Sequence, residues 1–197
     1  MQNKNAILLF TKNPELGKVK TRLAKTIGNE RALEIYKKLL THTQSIASPI
    51  DADKFVFYSD TINETDQWSA ADYYKKLQFN GDLGQRMAAA FQEAFSLGYQ
   101  SVCIIGSDCY ELTSAIISEA FSKLSDHDVV IGPTHDGGYY LLGMKLLYKP
   151  LFLNKSWSTD TVFSDTINDF DTLSLTSYRL IKLSDVDEEK DLPKHWK

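Results

Sequence analysis

The sequence predicts an α/β fold, a mainly parallel sheet with helices packed on both faces. Two features predict it. Short continuous apolar runs, such as Ala6-Ile7-Leu8-Leu9-Phe10 and Ser101-Val102-Cys103-Ile104-Ile105, have the pattern of strands buried on both sides. Between such runs lie stretches whose apolar residues recur at helical spacing, so the chain reads as repeated strand-then-helix units.

The elements follow in order. After the first strand, residues 11–19 form a polar loop. Residues 29–47 predict a helix, with Leu33, Tyr36, Leu40 and Ala47 at spacings of three, four and seven. Residues 54–58 predict a second strand, and residues 61–76 are ambiguous, with a short helix as the expectation. Leu77-Gln78-Phe79 reads as a short strand, followed by a helical stripe through Leu83, Met87, Ala90, Phe91, Ala94 and Phe95 that stops at Gly98. Residues 101–105 predict the central strand, and Thr113 caps a helix with Ile116, Ile117, Ala120, Phe121 and Leu124 on one face. Strands are expected at 128–131 and 139–144, a helix at 158–173, a late strand at 178–183 and a polar helix start at 185–189. In such sheets ligands collect at the C-terminal ends of the strands, which selects the loops after Phe10, Tyr58, Phe79, Ile105 and Ile131.

Composition narrows the class. The 197 residues predict one domain over 1–197, and 43% hydrophobic with 24% charged residues is an ordinary globular balance. A net charge of −4 argues against a general nucleic-acid binder. No apolar run approaches the roughly 18 residues of a membrane span. The N-terminus has no signal-peptide pattern, so the expected setting is cytoplasmic. The two cysteines, Cys103 and Cys109, exclude a disulfide scaffold and suit no structural zinc site. The dinucleotide fingerprint GxGxxG and the GxSxG elbow do not occur, and Gly17-Lys18 is followed by Val19 rather than the Ser or Thr of a Walker loop.

Four loops carry candidate chemistry. In the first, five cations (Lys12, Lys18, Lys20, Arg22 and Lys25) face one acid, Glu15, around the turn residue Gly17; this suits a polyphosphate, although a solvated lysine-rich loop is the plainer reading. In the second, Asp108 of Gly106-Ser107-Asp108-Cys109 stands at the end of a central strand, where it could hold a divalent cation or simply cap a turn. In the third, Asp136-Gly137 is a strong hairpin signal, and Asp136 is also a candidate acceptor-binding group or general base, with His135 as a weaker rival. In the fourth, Asp185, Asp187, Glu188 and Glu189 could complete a metal site or act as helix N-terminal charges. Two lesser segments are Gly81-Asp82-Leu83-Gly84-Gln85-Arg86-Met87, which could hold a base or ribose, and Trp157-Ser158-Thr159, which reads as a helix cap beside an aromatic. Cys109 has no paired base and reads as a buried thiol.

Taken in order, the first loop, Gly-Asp-Leu-Gly-Gln-Arg-Met, Gly-Ser-Asp-Cys, Asp-Gly-Gly-Tyr-Tyr-Leu-Leu-Gly, Trp-Ser-Thr and Asp-Val-Asp span nearly the whole chain. Together they resemble a bacterial family of small GT-A glycosyltransferase-like proteins within the nucleotide-diphospho-sugar transferase superfamily. Members are named only as a domain of unknown function or as candidate arsenosugar-biosynthesis glycosyltransferases. More distantly, Lys-Thr-Arg-Leu is similar to the corresponding loop of the phospholactate guanylyltransferases. The resemblance implies a GT-A, Rossmann-like three-layer sandwich with the nucleotide over the first strands. It implies that Lys12, Gly17, Lys20, Thr21 and Arg22 line the phosphates, with Gly84 and Arg86 also on the nucleotide. It implies a Mg²⁺ or Mn²⁺ ion on Asp108 and Asp187, with Asp185 as the rival for the second position. The expected function is metal-dependent glycosyl transfer from a nucleotide-diphosphate sugar to a small-molecule acceptor, Asp136 orienting or deprotonating the acceptor. The alternatives are a guanylyltransferase-like nucleotidyltransferase, which joins a nucleoside triphosphate to a phosphorylated small molecule and releases pyrophosphate, and a non-catalytic nucleotide-binding protein.

Overall fold

Residues 4–196 are described by a computed structural model. Seven strands form one sheet: β1 (Asn5–Thr11), β2 (Asp53–Tyr58), β3 (Tyr73–Leu77), β4 (Ser101–Ile105), β5 (Val129–Pro133), β6 (Tyr139–Met144) and β7 (Ser177–Arg179). Their spatial order is β3-β2-β1-β4-β6-β5-β7. Every neighbouring pair is parallel except those made by β6, which runs against both β4 and β5. The Asp136-Gly137 turn is the cause: it closes β5 and β6 into a hairpin, the chain reversal its sequence predicts.

Side chains alternate across the central strands and give each face its own core. Ile7, Leu9, Val56, Tyr58, Cys103 and Ile105 pack on one face under α2 (Asn29–Ala47) and α4 (Ser114–Lys123). Ala6, Leu8, Phe55, Phe57, Val102 and Ile104 pack on the other under α3 (Leu83–Ser96) and α5 (Val162–Thr172). This is the three-layer α/β arrangement expected from continuous apolar strands. A short α1 (Thr21–Ile27) buries Leu23 against Ile35 and Leu39 of α2 and against Val186 and Leu192.

Local differences from the sequence reading have local causes. Residues 61–76 form no helix; the segment is pinned irregularly, with Asp66 accepting from the Tyr58 hydroxyl at 2.7 Å and from Lys75 at 3.0 Å. β3 therefore starts at Tyr73 rather than Leu77, and its lysines hide the strand pattern because Lys75 is buried by that ion pair. α5 begins at Val162 rather than near residue 158, since Ser158 has a left-handed backbone (φ 66) that an α-helix cannot include. Trp157-Ser158-Thr159 is accordingly a turn, and α5 starts without a side-chain cap. The late strand shortens to Ser177–Arg179, and Leu183 lies outside it, joined to Thr134 by an isolated bridge. Residues 185–188 form no helix, and two 3₁₀ turns follow, at Glu189–Asp191 and Lys194–Trp196. Among the described residues no helix is long and apolar enough to cross a membrane.

Candidate functional site

The C-terminal ends of β1, β4 and β5 face the segment after β7, and four loops meet there. β1 and β4 are neighbours in the sheet, so the loops that leave them begin side by side. The loop after β1 carries Lys20 to the N-terminus of α1, with its side chain 3% exposed. Its Nζ lies 2.8 Å from Oδ1 of Asp108 and 3.4 Å from Oδ1 of Asp187. One ammonium from the β1 loop thus joins a residue of the β4 loop to one of the C-terminal segment, itself more than 160 residues further along the chain than Lys20. Arg22, in the first turn of α1, places Nη2 2.9 Å from Oδ2 of the same Asp187. Burial alone would lower the Lys20 pKa, but the carboxylates of Asp108 and Asp187 outweigh it and hold the pKa above its ordinary value.

The C-terminal segment is held against the β4 loop by backbone. The Val186 N–H donates to the Asp108 carbonyl at 2.9 Å, and the Ser184 N–H donates to Glu111 at 2.7 Å. Asp185 faces the same cavity, of about 270 Å³, as Arg22, His135, Asp136, Asp187 and Lys190. Burial, then the charges of Asp108, Asp136 and Asp187, push the Asp185 carboxyl up to about 7, against the pull of Lys20. Asp136 sits in the β5–β6 turn, where its Oδ1 accepts from the Thr134 hydroxyl at 2.5 Å and from the Gly138 N–H at 3.1 Å. Gly137 makes the turn possible: its φ is +90, and a Cβ there would lie 2.1 Å from the Asp160 carbonyl oxygen.

The residues singled out from sequence therefore divide. Lys20, Arg22, Asp108, Asp136, Asp185 and Asp187 gather in one place. Lys12 and Gly17 are exposed on the loop beside it, Thr21 is exposed as the first residue of α1, and Lys18 is turned toward Glu15 at 2.6 Å. Gly84 and Arg86 are not brought to this cavity. Gly84 is buried beneath Trp157, where a Cβ would come within 2.5 Å of the indole, and Arg86 donates to Gln78 at 3.0 Å. Cys109 is a buried thiol whose pKa burial raises, so it is held as an inert thiol.

Two residues that hold the site were not visible in sequence. Tyr36 of α2 looks like a core aromatic, yet its hydroxyl accepts from the Lys12 N–H at 2.7 Å, donates to the Lys12 carbonyl at 3.1 Å and meets Ser107 Oγ at 3.3 Å. It thereby ties the β1 loop to the residue before Asp108. Asn13, buried, donates to the Thr61 carbonyl at 2.8 Å and accepts from the N–H groups of Asp60 and Thr61. All of these partners are distant in sequence, so only the exceptional burial of an asparagine in a loop could have signalled its role.

The carboxylates of the site form a candidate donor set for a divalent cation. Asp108 and Asp187 converge on one positively charged atom, the Lys20 Nζ, which acts as a stand-in for a bound cation. Carboxylate oxygens suit Mg²⁺ or Mn²⁺. Among the described residues no third His, Cys, Asp or Glu completes a metal cluster with them. Mg²⁺ typically uses one or two carboxylates and fills the remaining positions with water and substrate phosphate. The residues fit an ion of that kind.

Comparison with known proteins bears on the family and the fold. A model of a family described as an uncharacterized protein conserved in bacteria (DUF2064) matches residues 43–159, a stretch that includes Asp108 and Asp136. The chain is similar to the crystal structure of a "putative nucleotide-diphospho-sugar transferase" from Desulfovibrio desulfuricans G20, at 31% identity over 95% of this chain and 84% of that one, with a TM-score of 0.87. It shares its fold with 4-diphosphocytidyl-2C-methyl-D-erythritolsynthase from Anaerococcus prevotii DSM 20548, at 10% identity, 95% and 92% coverage and a TM-score of 0.59. It also shares it with the inositol-1-phosphate CTP transferase from T. maritima, at 11% identity, 98% and 92% coverage and a TM-score of 0.55. No curated protein matches the sequence.

Proposed function

We propose a nucleotide-dependent transfer reaction for this chain, which belongs to the DUF2064 family of bacterial proteins. In its finer form, the protein moves the glycosyl group of a nucleotide-diphosphate sugar onto a small-molecule acceptor. The observation that carries the reading is the meeting of Lys20, Arg22, Asp108 and Asp187 at the C-terminal ends of the parallel strands β1 and β4. The description of the 31%-identical relative as a nucleotide-diphospho-sugar transferase supports the donor class.

Each residue then has a task. Lys20 and Arg22 offer a point charge and a planar fork to the donor's diphosphate, beside the loop of Lys12, Gly17 and Thr21. Asp108 and Asp187 would hold Mg²⁺ or Mn²⁺, which would supply positive charge to offset that on a diphosphate leaving group. The acceptor hydroxyl oxygen attacks the anomeric carbon of the sugar, the bond from that carbon to the diphosphate oxygen breaks, and the nucleoside diphosphate leaves with the bonding pair. Asp136 takes the hydroxyl proton on Oδ2, because Oδ1 is already engaged by Thr134 and Gly138.

A second reading, nucleotidyl transfer, draws support from the presence of two cations on Asp187. There an acceptor phosphate attacks the α-phosphorus of a nucleoside triphosphate and pyrophosphate leaves, a reaction that needs mainly positioning and charge neutralisation. A thermal-shift panel of nucleoside triphosphates, diphosphates and nucleotide sugars, each with and without Mn²⁺, separates the readings. A ligand at a hundred times its Kd stabilises by about 2.7 kcal/mol. A metal-dependent shift with a nucleotide sugar, lost in Asp108→Ala, is the expected result. A shift only with a triphosphate turns the assignment to nucleotidyl transfer, and binding without turnover in any combination turns it to a non-catalytic protein.

A further inference from the structure

Building on the divalent-cation reading above, we infer that Lys20 is a built-in competitor for that cation: its ammonium holds the position between Asp108 and Asp187 in the metal-free chain and must leave it when a metal ion binds. Four lysines lie on or just after the β1 loop, and Lys12, Lys18 and Lys25 are exposed while Lys20 is buried. The inward pose is not a local preference. Lys20 has φ 48, in the left-handed region that side-chain-bearing residues seldom adopt, at the N-terminal end of α1. Its Nζ contacts carboxylate oxygens from two separate parts of the chain, at 2.8 and 3.4 Å. An ion bound by those same oxygens would occupy the space of the ammonium and repel its charge, so the two cations exclude one another.

The consequence is a two-position side chain. Displaced from the carboxylates, Lys20 stays tethered two residues from the exposed Arg22 and turns its charge to an anionic ligand. Metal and diphosphate then favour each other through Lys20, and by linkage the effect is mutual. An ammonium between the acids also screens their repulsion in the metal-free chain, where both would otherwise face Asp185.

The test uses the full chain and metal alone, without nucleotide. Mn²⁺ affinity is measured by the loss of the free-ion electron paramagnetic resonance signal in wild type and in Lys20→Met. The expected result is binding at least about tenfold tighter in the variant, equivalent to 1.4 kcal/mol. Equal or weaker binding overturns the inference and leaves the cation reading intact, whereas no Mn²⁺ binding by either protein removes both. A second measurement needs no variant: amine acetylation of wild type followed by mass spectrometry, with exposed Lys37 as internal standard. Mg²⁺ is expected to raise labelling of Lys20 several-fold relative to Lys37. Unchanged labelling at Mg²⁺ concentrations that compete with bound Mn²⁺ shows Lys20 in place beside the metal and overturns the inference, even if Lys20→Met does not fold.

Discussion

At the scale of single residues, the site depends on polar groups whose partners lie far away in sequence. Tyr36 is the clearest case, because one hydroxyl serves Lys12 and Ser107 together. Tyr36→Phe keeps the ring and removes these bonds. It is expected to cost about 1–2 kcal/mol in urea unfolding. It should also speed hydrogen exchange at the Lys12 amide, whose acceptor is that hydroxyl, while α5 exchange stays unchanged. Exchange rising equally in α5 would point to general loosening instead. His42 gives a pH signature. Burial lowers its pKa from 6.5, against the pull of the Leu112 carbonyl bonded at 2.9 Å. The folded chain therefore binds fewer protons than the unfolded chain just below pH 6.5. The stabilisation is fully present above the unfolded value and is lost as pH falls through the lowered folded value. The difference in Tm between wild type and His42→Gln, followed from pH 8 to pH 5, should narrow as the pH falls.

At the scale of elements, the β5–β6 hairpin decides where Asp136 stands. Gly137→Ala meets both a left-handed φ and the backbone of Asp160. The expected loss is about 3 kcal/mol or more in chemical denaturation. Gly106→Ala is the control: nothing lies within 4 Å of its added Cβ, and the expected change stays within about 0.5 kcal/mol. The hairpin and most helices were legible in the sequence because their signals are local: an Asp-Gly turn, apolar stripes, and a Thr113 cap whose side chain accepts from the Ile116 N–H. α1 was not, since seven residues carry too little periodicity to stand out from a basic loop. The edge strand β3 was misplaced because Lys75 is buried by an ion pair, which no pattern of apolar residues records.

At the scale of the whole molecule, the C-terminal segment completes the site and is clasped to the rest. The Trp196 ring packs 4.4 Å from that of Tyr110, two residues beyond Asp108, and its carbonyl accepts from Arg31 at 3.0 Å. Trp196→Ala is expected to lower stability by about 1–3 kcal/mol. It should raise hydrogen exchange over residues 185–191 before it affects the core beneath α3 and α5. Uniform exchange throughout the chain would argue that the clasp has no special link to the segment bearing Asp187.

The sequence by itself determined the fold class, the layering and the loops that meet at the candidate site. Burial on two faces and turn formation are local demands, and a strand such as Ile7-Leu8-Leu9 states them directly. The tertiary structure alone decided which residues of those loops meet. It put Lys20 rather than Lys12 or Lys18 against Asp108, sent Gly84 under Trp157 instead of into the cavity, and made Tyr36 a link between loops. These outcomes depend on directions in space across more than 70 residues of chain. No periodicity in the sequence encodes a direction of that kind, and only the packed sheet supplies it.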